Sequence, residues 1–131
     1  MEENFKFEIV SPEKIIFSND IKMAKLPSYE GDMSILKNHI SIITFLRPGI
    51  IKVEKDDKDN DIFFVEDGTV ENFDNNLTIL SSSIINKKDL SKDFLENLTK
   101  KSENLLAKKD ISDHDKYVLS HKIDTLKGLG I

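Results

Sequence analysis

The hydrophobic period of the chain changes once, near residue 87, and that change sets the outline of the fold. Before it, apolar residues recur at every second position in short runs, as Phe5, Phe7 and Ile9 do around Lys6 and Glu8. This is the alternation of a half-buried strand. After it, Leu90, Phe94, Leu95, Leu98, Leu105 and Leu106 fall mostly three, four or seven apart with Lys and Glu between them, which is a helical stripe. A strand-rich first part and a helical second part predict a β unit followed by an α unit.

Turn signals divide the first part into short pieces. Ser11-Pro12 ends the first run, Ile15 and Phe17 share a face of the second, and Ser18-Asn19-Asp20 marks a turn before Ile21, Met23 and Lys25. Residues 40–46 are apolar and β-branched, and Arg47-Pro48-Gly49 turns the chain into residues 50–54. An acidic run at 56–61 reads as a solvated hairpin tip, followed by strands at 62–65, 69–73 and 77–80 with turns at Asp67-Gly68 and Asp74-Asn75-Asn76. Eight or more such strands predict an antiparallel two-sheet β-sandwich, or a flattened barrel, over residues 1–86. In the second part, Asp89 or Ser91 can cap a first helix, and residues 110–113 form a break. Ser112 with Asp115 resembles a capping box, and Leu119, Ile123 and Leu126 give a shorter stripe ending at Gly128. Residues 87–131 are therefore a C-terminal α-helical hairpin, which must lean on the sandwich or on a partner because short helices gain most of their stability from packing.

Residues 26–39 bring a proline, a glycine, two acids and a histidine together between strands. Proline offers no backbone donor and glycine permits unusual angles, so this stretch reads as a shaped loop with a short strand at 33–36 rather than a buried ladder. Glu30 and Asp32, two apart, suit a basic partner better than acid–base chemistry, which needs a neighbour or burial to separate their pKa values. His39 stands alone and reads as part of a hydrogen-bond network or an interface. His114 and His121 are seven apart, too far along a helix for one metal ion, and read as surface. Asp57, Asp59 and Asp61 alternate like a calcium loop, but Ile62 stands where glycine is needed and Gly68 where glutamate is needed.

What remains excludes whole classes of function. The 131 residues contain no cysteine, so neither disulfides nor thiolate metal sites arise, and neither a nucleophilic serine elbow nor a glycine-rich phosphate loop is present. No catalytic residue, cofactor or metal is expected. A formal net charge of −5 argues against nucleic acid or anionic lipid as the main partner and leaves protein. No apolar run approaches the ~18 residues needed to cross a bilayer, and the acidic start Met1-Glu2-Glu3-Asn4 is unlike a targeting peptide.

The succession Val10-Ser11-Pro12, Ile15-Ile16-Phe17-Ser18, Leu26-Pro27, Glu30-Gly31-Asp32, Ile35-Leu36, His39, Leu46-Arg47-Pro48-Gly49 and Phe64-Val65 with Gly68 resembles the epsilon-subunit family of F-type ATP synthases. The resemblance implies a non-catalytic central-stalk, or rotor, subunit that couples ion-driven rotation of the c ring to ATP synthesis in the catalytic head. It implies that the sandwich binds the gamma subunit and the c ring, and that the hairpin is regulatory and can reach the alpha and beta subunits. By position, Glu30, Gly31 and Asp32 would meet the c ring and His39 would lie at the gamma contact. Ser34 departs from the usual glycine, and Ile40-Ser41 from the usual alanine-proline. Family members that bind ATP in the hairpin carry Ile or Leu, Asp, two residues, Arg, Ala; here the segment is His114-Asp115-Lys116-Tyr117-Val118-Leu119. Asp115 remains, but Val118 replaces the arginine fork that would hold phosphate, so nucleotide binding is not expected. The second helix offers Lys116, Lys122 and Lys127 but no arginine, so inhibition of ATP hydrolysis is expected to be weak or absent. The implied location is peripheral, on the cytoplasmic side of a bacterial inner membrane or on a plastid thylakoid. The alternatives are a free-standing adaptor whose hairpin captures partner helices, and a small enzyme, which would need Glu30, Asp32 and His39 to line one pocket.

Overall fold

The computed structural model describes residues 4–56 and 60–130; Asp57 and Asp59 of the acidic alternation lie outside them. Ten strands come first: β1 (Phe5–Val10), β2 (Ile15–Ile21), β3 (Met23–Ser28), β4 (Gly31–Leu36), β5 (Ile42–Leu46), β6 (Gly49–Glu54), β7 (Asn60–Val65), β8 (Gly68–Phe73), β9 (Asn76–Leu80) and β10 (Ile84–Asn86). A 3₁₀ turn at Lys87–Asp89 leads into α1 (Lys92–Leu106) and α2 (Asp113–Gly130). The sandwich and the helical hairpin are both as the periodicity implies.

The two layers meet at β3. Its first half, Met23 to Lys25, pairs with β6, and its last residue, Ser28, pairs with Leu46 of β5, while β4 runs along its other edge. From that seam one layer continues as β6, β7 and β10, and the other as β5, β8, β9, β1 and β2. Every ladder is antiparallel except that of β1 with β9, which is parallel. Phe7, Ile9, Val70, Leu77 and Ile79 from one layer meet Ile51, Val53, Phe63 and Val65 from the other in one buried core. The ring of Phe17 bridges the layers, 5.8 Å from Phe7 and 5.4 Å from Phe63 between centroids.

Three local expectations are corrected. Leu26, Pro27 and Ser28 are buried in β3, so the shaped loop is in fact a hairpin whose turn is only Tyr29-Glu30. Proline is tolerated there because it sits where β3 passes from one partner strand to the next and only its carbonyl is used, accepting from the Arg47 amide at 3.0 Å. Gly49 is the other half of this fit, since a Cβ there would lie 2.5 Å from the Pro27 Cβ. Second, Ser18, Asn19 and Asp20 continue β2 rather than turning it, as polar residues can on an edge strand paired only with β1. A bulge opposite Ile9 and Val10 breaks the alternation in β2, so Ile15 is exposed while Ile16 and Phe17 pack against the core. Third, α2 runs past Gly128 and uses Leu129 as a buried contact.

The hairpin covers the outer surface of the β6–β7 layer. Phe64 points away from Phe63 and Val65 and is buried with Leu95, Leu126 and Leu129, with Leu90 and Leu98 at the margin. Ser91 caps α1, its Oγ accepting from the Phe94 amide at 3.0 Å, and Ser112 does the same for Asp115 at 3.1 Å. Ser102, an interruption of the apolar stripe in the sequence, is buried and donates to the Leu98 carbonyl at 2.8 Å. A small residue at that position lets the stripe continue without bulk.

Gly49→Ala is expected to destabilise the sandwich by about 1–3 kcal/mol, read from urea unfolding, because neither Pro27 nor the β3 backbone can move aside. Leu126→Ala is expected to speed amide exchange in α1 and α2 while leaving the strands protected, since it opens a cavity in the small hairpin core and not in the sandwich core.

Candidate functional site

The turn between β3 and β4 is built by Ser28. Its buried hydroxyl donates to the Gly31 carbonyl at 2.7 Å and accepts from the Glu30 amide at 3.2 Å. Gly31 has φ of 121°, a conformation that side-chain-bearing residues rarely adopt. Glu30 and Asp32 therefore flank a rigid bend and both face solvent. They are not equivalent. Asp32 forms an ion pair with Arg47 Nη2 at 3.1 Å, whereas Glu30 has no ion-pair partner among the described residues.

Arg47 comes from the turn between β5 and β6 and is the single arginine of the chain. Its side chain is 15% exposed against 60% for Asp32, so it is the buried member of the pair. Its Nη1 lies 3.3 Å from Nδ1 of His121 on α2. The guanidinium thus ties the β3–β4 hairpin to α2, a bridge that a planar fork makes and an ammonium does not. Lys122 adds a second tie, 2.7 Å from Glu66 in the β7–β8 turn.

His114, Tyr117 and His121 lie three and four apart and share one face of α2. Tyr29, at the tip of the β3–β4 turn, stacks on His114 at 6.1 Å and on Tyr117 at 5.9 Å, and Tyr117 meets His121 edge-on at 4.5 Å. His114 is exposed as the sequence implies, but His121 is half-buried and forms part of this contact. Burial pushes the Tyr29 phenol up, helped by Tyr117 and Asp67. Burial and then the Arg47 charge hold His121 below the ordinary histidine value, opposed by Asp124 and Asp32. Sequence reasoning missed Tyr29 and Arg47; a lone arginine among eighteen lysines was the available signal.

His39 lies at the other end of β4, six residues of strand away at about 3.4 Å each. Its amide donates to the Leu36 carbonyl at 3.1 Å, its Nδ1 lies 2.8 Å from the Ile40 carbonyl, and its own carbonyl accepts from Asn72 at 3.3 Å. Beside it, Asn38 and Asn75 exchange hydrogen bonds at 2.7 and 3.2 Å and lock the β4–β5 loop to the β8–β9 turn. His39 does belong to a hydrogen-bond network. Among the described residues, no pocket gathers Glu30, Asp32 and His39, because the strand holds them apart.

The outer surface of the other layer exposes several large apolar side chains beside a polar row of Glu71, Thr78 and Glu8. Ile43 and Phe45 of β5 are 69% and 60% exposed, Phe73 of β8 is 67% exposed and Leu80 of β9 is 52% exposed. Register places Phe45, Thr69, Leu80 and Val10 in one row across four strands. These side chains alternate with the buried Thr44, Leu46, Val70 and Ile79, so the pleat itself sends them outward. Asp115 and Val118 lie elsewhere, in a cleft of about 660 Å³ shared with Glu66, Ile111 and Lys122 near the α1–α2 loop. Val118 brings no charge there and the Lys122 ammonium is engaged by Glu66, while Lys108 and Lys109 line the same cleft.

Residues 4–87 match the family model described as ATP synthase, delta/epsilon chain, β-sandwich domain. The chain is 50% identical over 131 residues to the ATP synthase epsilon chain of Pelagibacter ubique (strain HTCC1062), covering 98% of this chain and 99% of that one. The chain belongs to the ATP synthase epsilon-chain family. The epsilon chain of Parvibaculum lavamentivorans is 36% identical over 129 residues, covering 98% and 97% of the two chains. Among solved structures, a chain of the Euglena gracilis mitochondrial ATP synthase (OSCP/F1/c-ring, rotational state 1) shares the fold with a TM-score of 0.79 at 15% identity, covering 95% of this chain and 80% of that one. A chain of the Tetrahymena thermophila mitochondrial ATP synthase central stalk and c ring does so with a TM-score of 0.63 at 14% identity, covering 94% and 93%. This epsilon-family chain is thus a subunit of ATP synthase, and among its described residues no helix is long and apolar enough to cross a membrane.

Arg47→Ala is expected to raise the titration midpoint of His121 toward the ordinary value near 6.5, because it removes a neighbouring cation. Histidine ring resonances followed by NMR against pH measure this, and an unmoved His121 would show that Arg47 does not bear on it.

Proposed function

We propose that this epsilon-family chain is a non-catalytic rotor subunit of the central stalk, coupling ion-driven rotation of the c ring to ATP synthesis in the catalytic head. The observation that carries the reading is the bare face of Ile43, Phe45, Phe73 and Leu80 on a sandwich whose opposite face is already covered by the hairpin. A rotor subunit must grip the shaft without slipping, and a sheet face with exposed aromatic and aliphatic anchors among polar residues supplies such a grip. That face would take the gamma subunit, with His39 near its margin. The rigid turn of Glu30, Gly31 and Asp32 would meet the c ring, where exposed acids set orientation and association rate more than affinity. Because Asp32 is already paired with Arg47, Glu30 is the acid better placed to answer a basic loop.

Residues 1–86 are then the docking unit, and residues 87–131 a regulatory hairpin able to reach the alpha and beta subunits. Asp115 and Val118 do not make a nucleotide site in this reading, since Val118 stands where a guanidinium fork would be needed and the cleft's cations are lysines, Lys108, Lys109 and the Glu66-bound Lys122. The subunit would act on the cytoplasmic side of a bacterial inner membrane, peripheral to it through the complex.

Phe45→Asp in the full chain is expected to weaken binding to purified gamma subunit by tenfold or more, as for loss of a central aromatic anchor. Glu30→Gln is expected to leave gamma binding unchanged and to slow association with an isolated c ring at low salt, the difference vanishing at high salt. Unimpaired gamma binding by Phe45→Asp would place the contact on another face.

A further inference from the structure

α2 is held on the sandwich by two kinds of contact. One is apolar, where Leu126 and Leu129 meet Phe64. The other is polar and titratable, where His121 Nδ1 lies 3.3 Å from Arg47 Nη1. A guanidinium can only donate, so Nδ1 must accept, which requires the neutral imidazole with its proton on Nε2.

We propose that His121 is a proton-operated latch on the hairpin: neutral, it accepts a hydrogen bond from Arg47 and helps keep α2 on the sandwich; protonated, it confronts that guanidinium and weakens the docking of α2. Protonation removes the acceptor and sets two cations face to face. Arg47 cannot readily swing away, because its Nη2 is committed to Asp32 and its side chain is largely buried.

The groups facing His121 decide the direction. From the β5–β6 turn there is Arg47, from β4 there is Asp32, and α2 itself contributes Tyr117 and Asp124. Lys25 of β3 and Lys52 of β6 line the adjoining groove with Asp32, Arg47 and Thr125 of α2, adding positive charge on the sandwich side. Asp124 travels with His121 on the same helix, so its attraction is similar whether α2 is docked or released and cancels in the difference. Asp32 does favour the imidazolium, but it is mostly solvent-exposed, where its field is screened, and its charge is already answered by Arg47.

The sign follows from linkage. In the docked state burial and Arg47 hold His121 below its ordinary value, and on release it returns toward about 6.5. The docked state therefore binds fewer protons. Docking is at full strength above the ordinary histidine value and weakens as pH falls from there through the lowered value of the docked state. Release uncovers Phe64 and frees Tyr29 from its stack. The latch is internal to the chain, so it holds or fails independently of the rotor reading.

The test is NMR on the full chain from about pH 7.5 to about pH 5.5, a range centred on the histidine transition. Ring resonances give His121 protonation, and cross-peaks between Phe64 and Leu126 give docking. Attenuation of those cross-peaks with the midpoint of His121, their persistence in His121→Gln across the range, and wild-type behaviour in His39→Gln, a histidine at the far end of β4, are expected. Cross-peaks unchanged once His121 is protonated, or attenuated equally in His121→Gln, would overturn the latch. Arg47→Gln covers the case in which His121→Gln is already undocked at high pH. Acid release should be weakened in it, and release unchanged from wild type would equally refute the mechanism.

Discussion

The arrangement of the molecule depends on the burial of Phe64 beneath Leu95, Leu126 and Leu129. Phe63 and Phe64 are neighbours on one strand, and the pleat sends them to opposite sides. Phe63 joins the core between the layers and Phe64 founds a second core under the helices. Without the second core, two polar helices of 15 and 18 residues would have little to hold them. It is a small core of a few side chains at roughly 1.5–3 kcal/mol each, so polar contacts at its edge, Lys122 with Glu66 and Arg47 with His121, carry real weight in whether the hairpin stays down.

The second dependence is at the seam. β3 is shared by both layers, and the step from one to the other is made at Pro27 against Gly49. The same step delivers Arg47 to the junction of the β3–β4 hairpin and α2, and presents Glu30 and Asp32 on a bend fixed by Ser28. One short region thus positions an acidic turn, a cation and a helix contact together.

Much of the fold was legible because alternation and helical spacing are properties of neighbouring residues. Phe5, Phe7 and Ile9 could be assigned to a buried face from spacing alone, and Ser91 and Ser112 could be assigned as caps from their position before a stripe. What was not legible depended on contacts far apart in the chain. The bulge in β2 is invisible until β1 is laid beside it, and Pro27 looks like a strand breaker until the partner change at β3 removes the need for its amide. Ser102 reads as a gap in a stripe and proves to be buried, its hydroxyl satisfied by the Leu98 carbonyl. Glu30, Gly31 and Asp32 could be read as a bend with acids because that is a local pattern. Arg47 meets His121 across 74 positions of sequence, Tyr29 stacks on Tyr117 of the same distant helix, and only the fold brings them together.

The proposed rotor role rests on one face being closed by the chain's own hairpin while the other exposes Ile43, Phe45, Phe73 and Leu80. The most direct test is calorimetric titration into purified gamma subunit of the full chain and of a form ending at Lys88. Tight one-to-one binding by both is expected, since the bare face of Ile43, Phe45, Phe73 and Leu80 lies wholly within the strands. Binding by neither form, or only by the form that keeps its helices, would contradict the account.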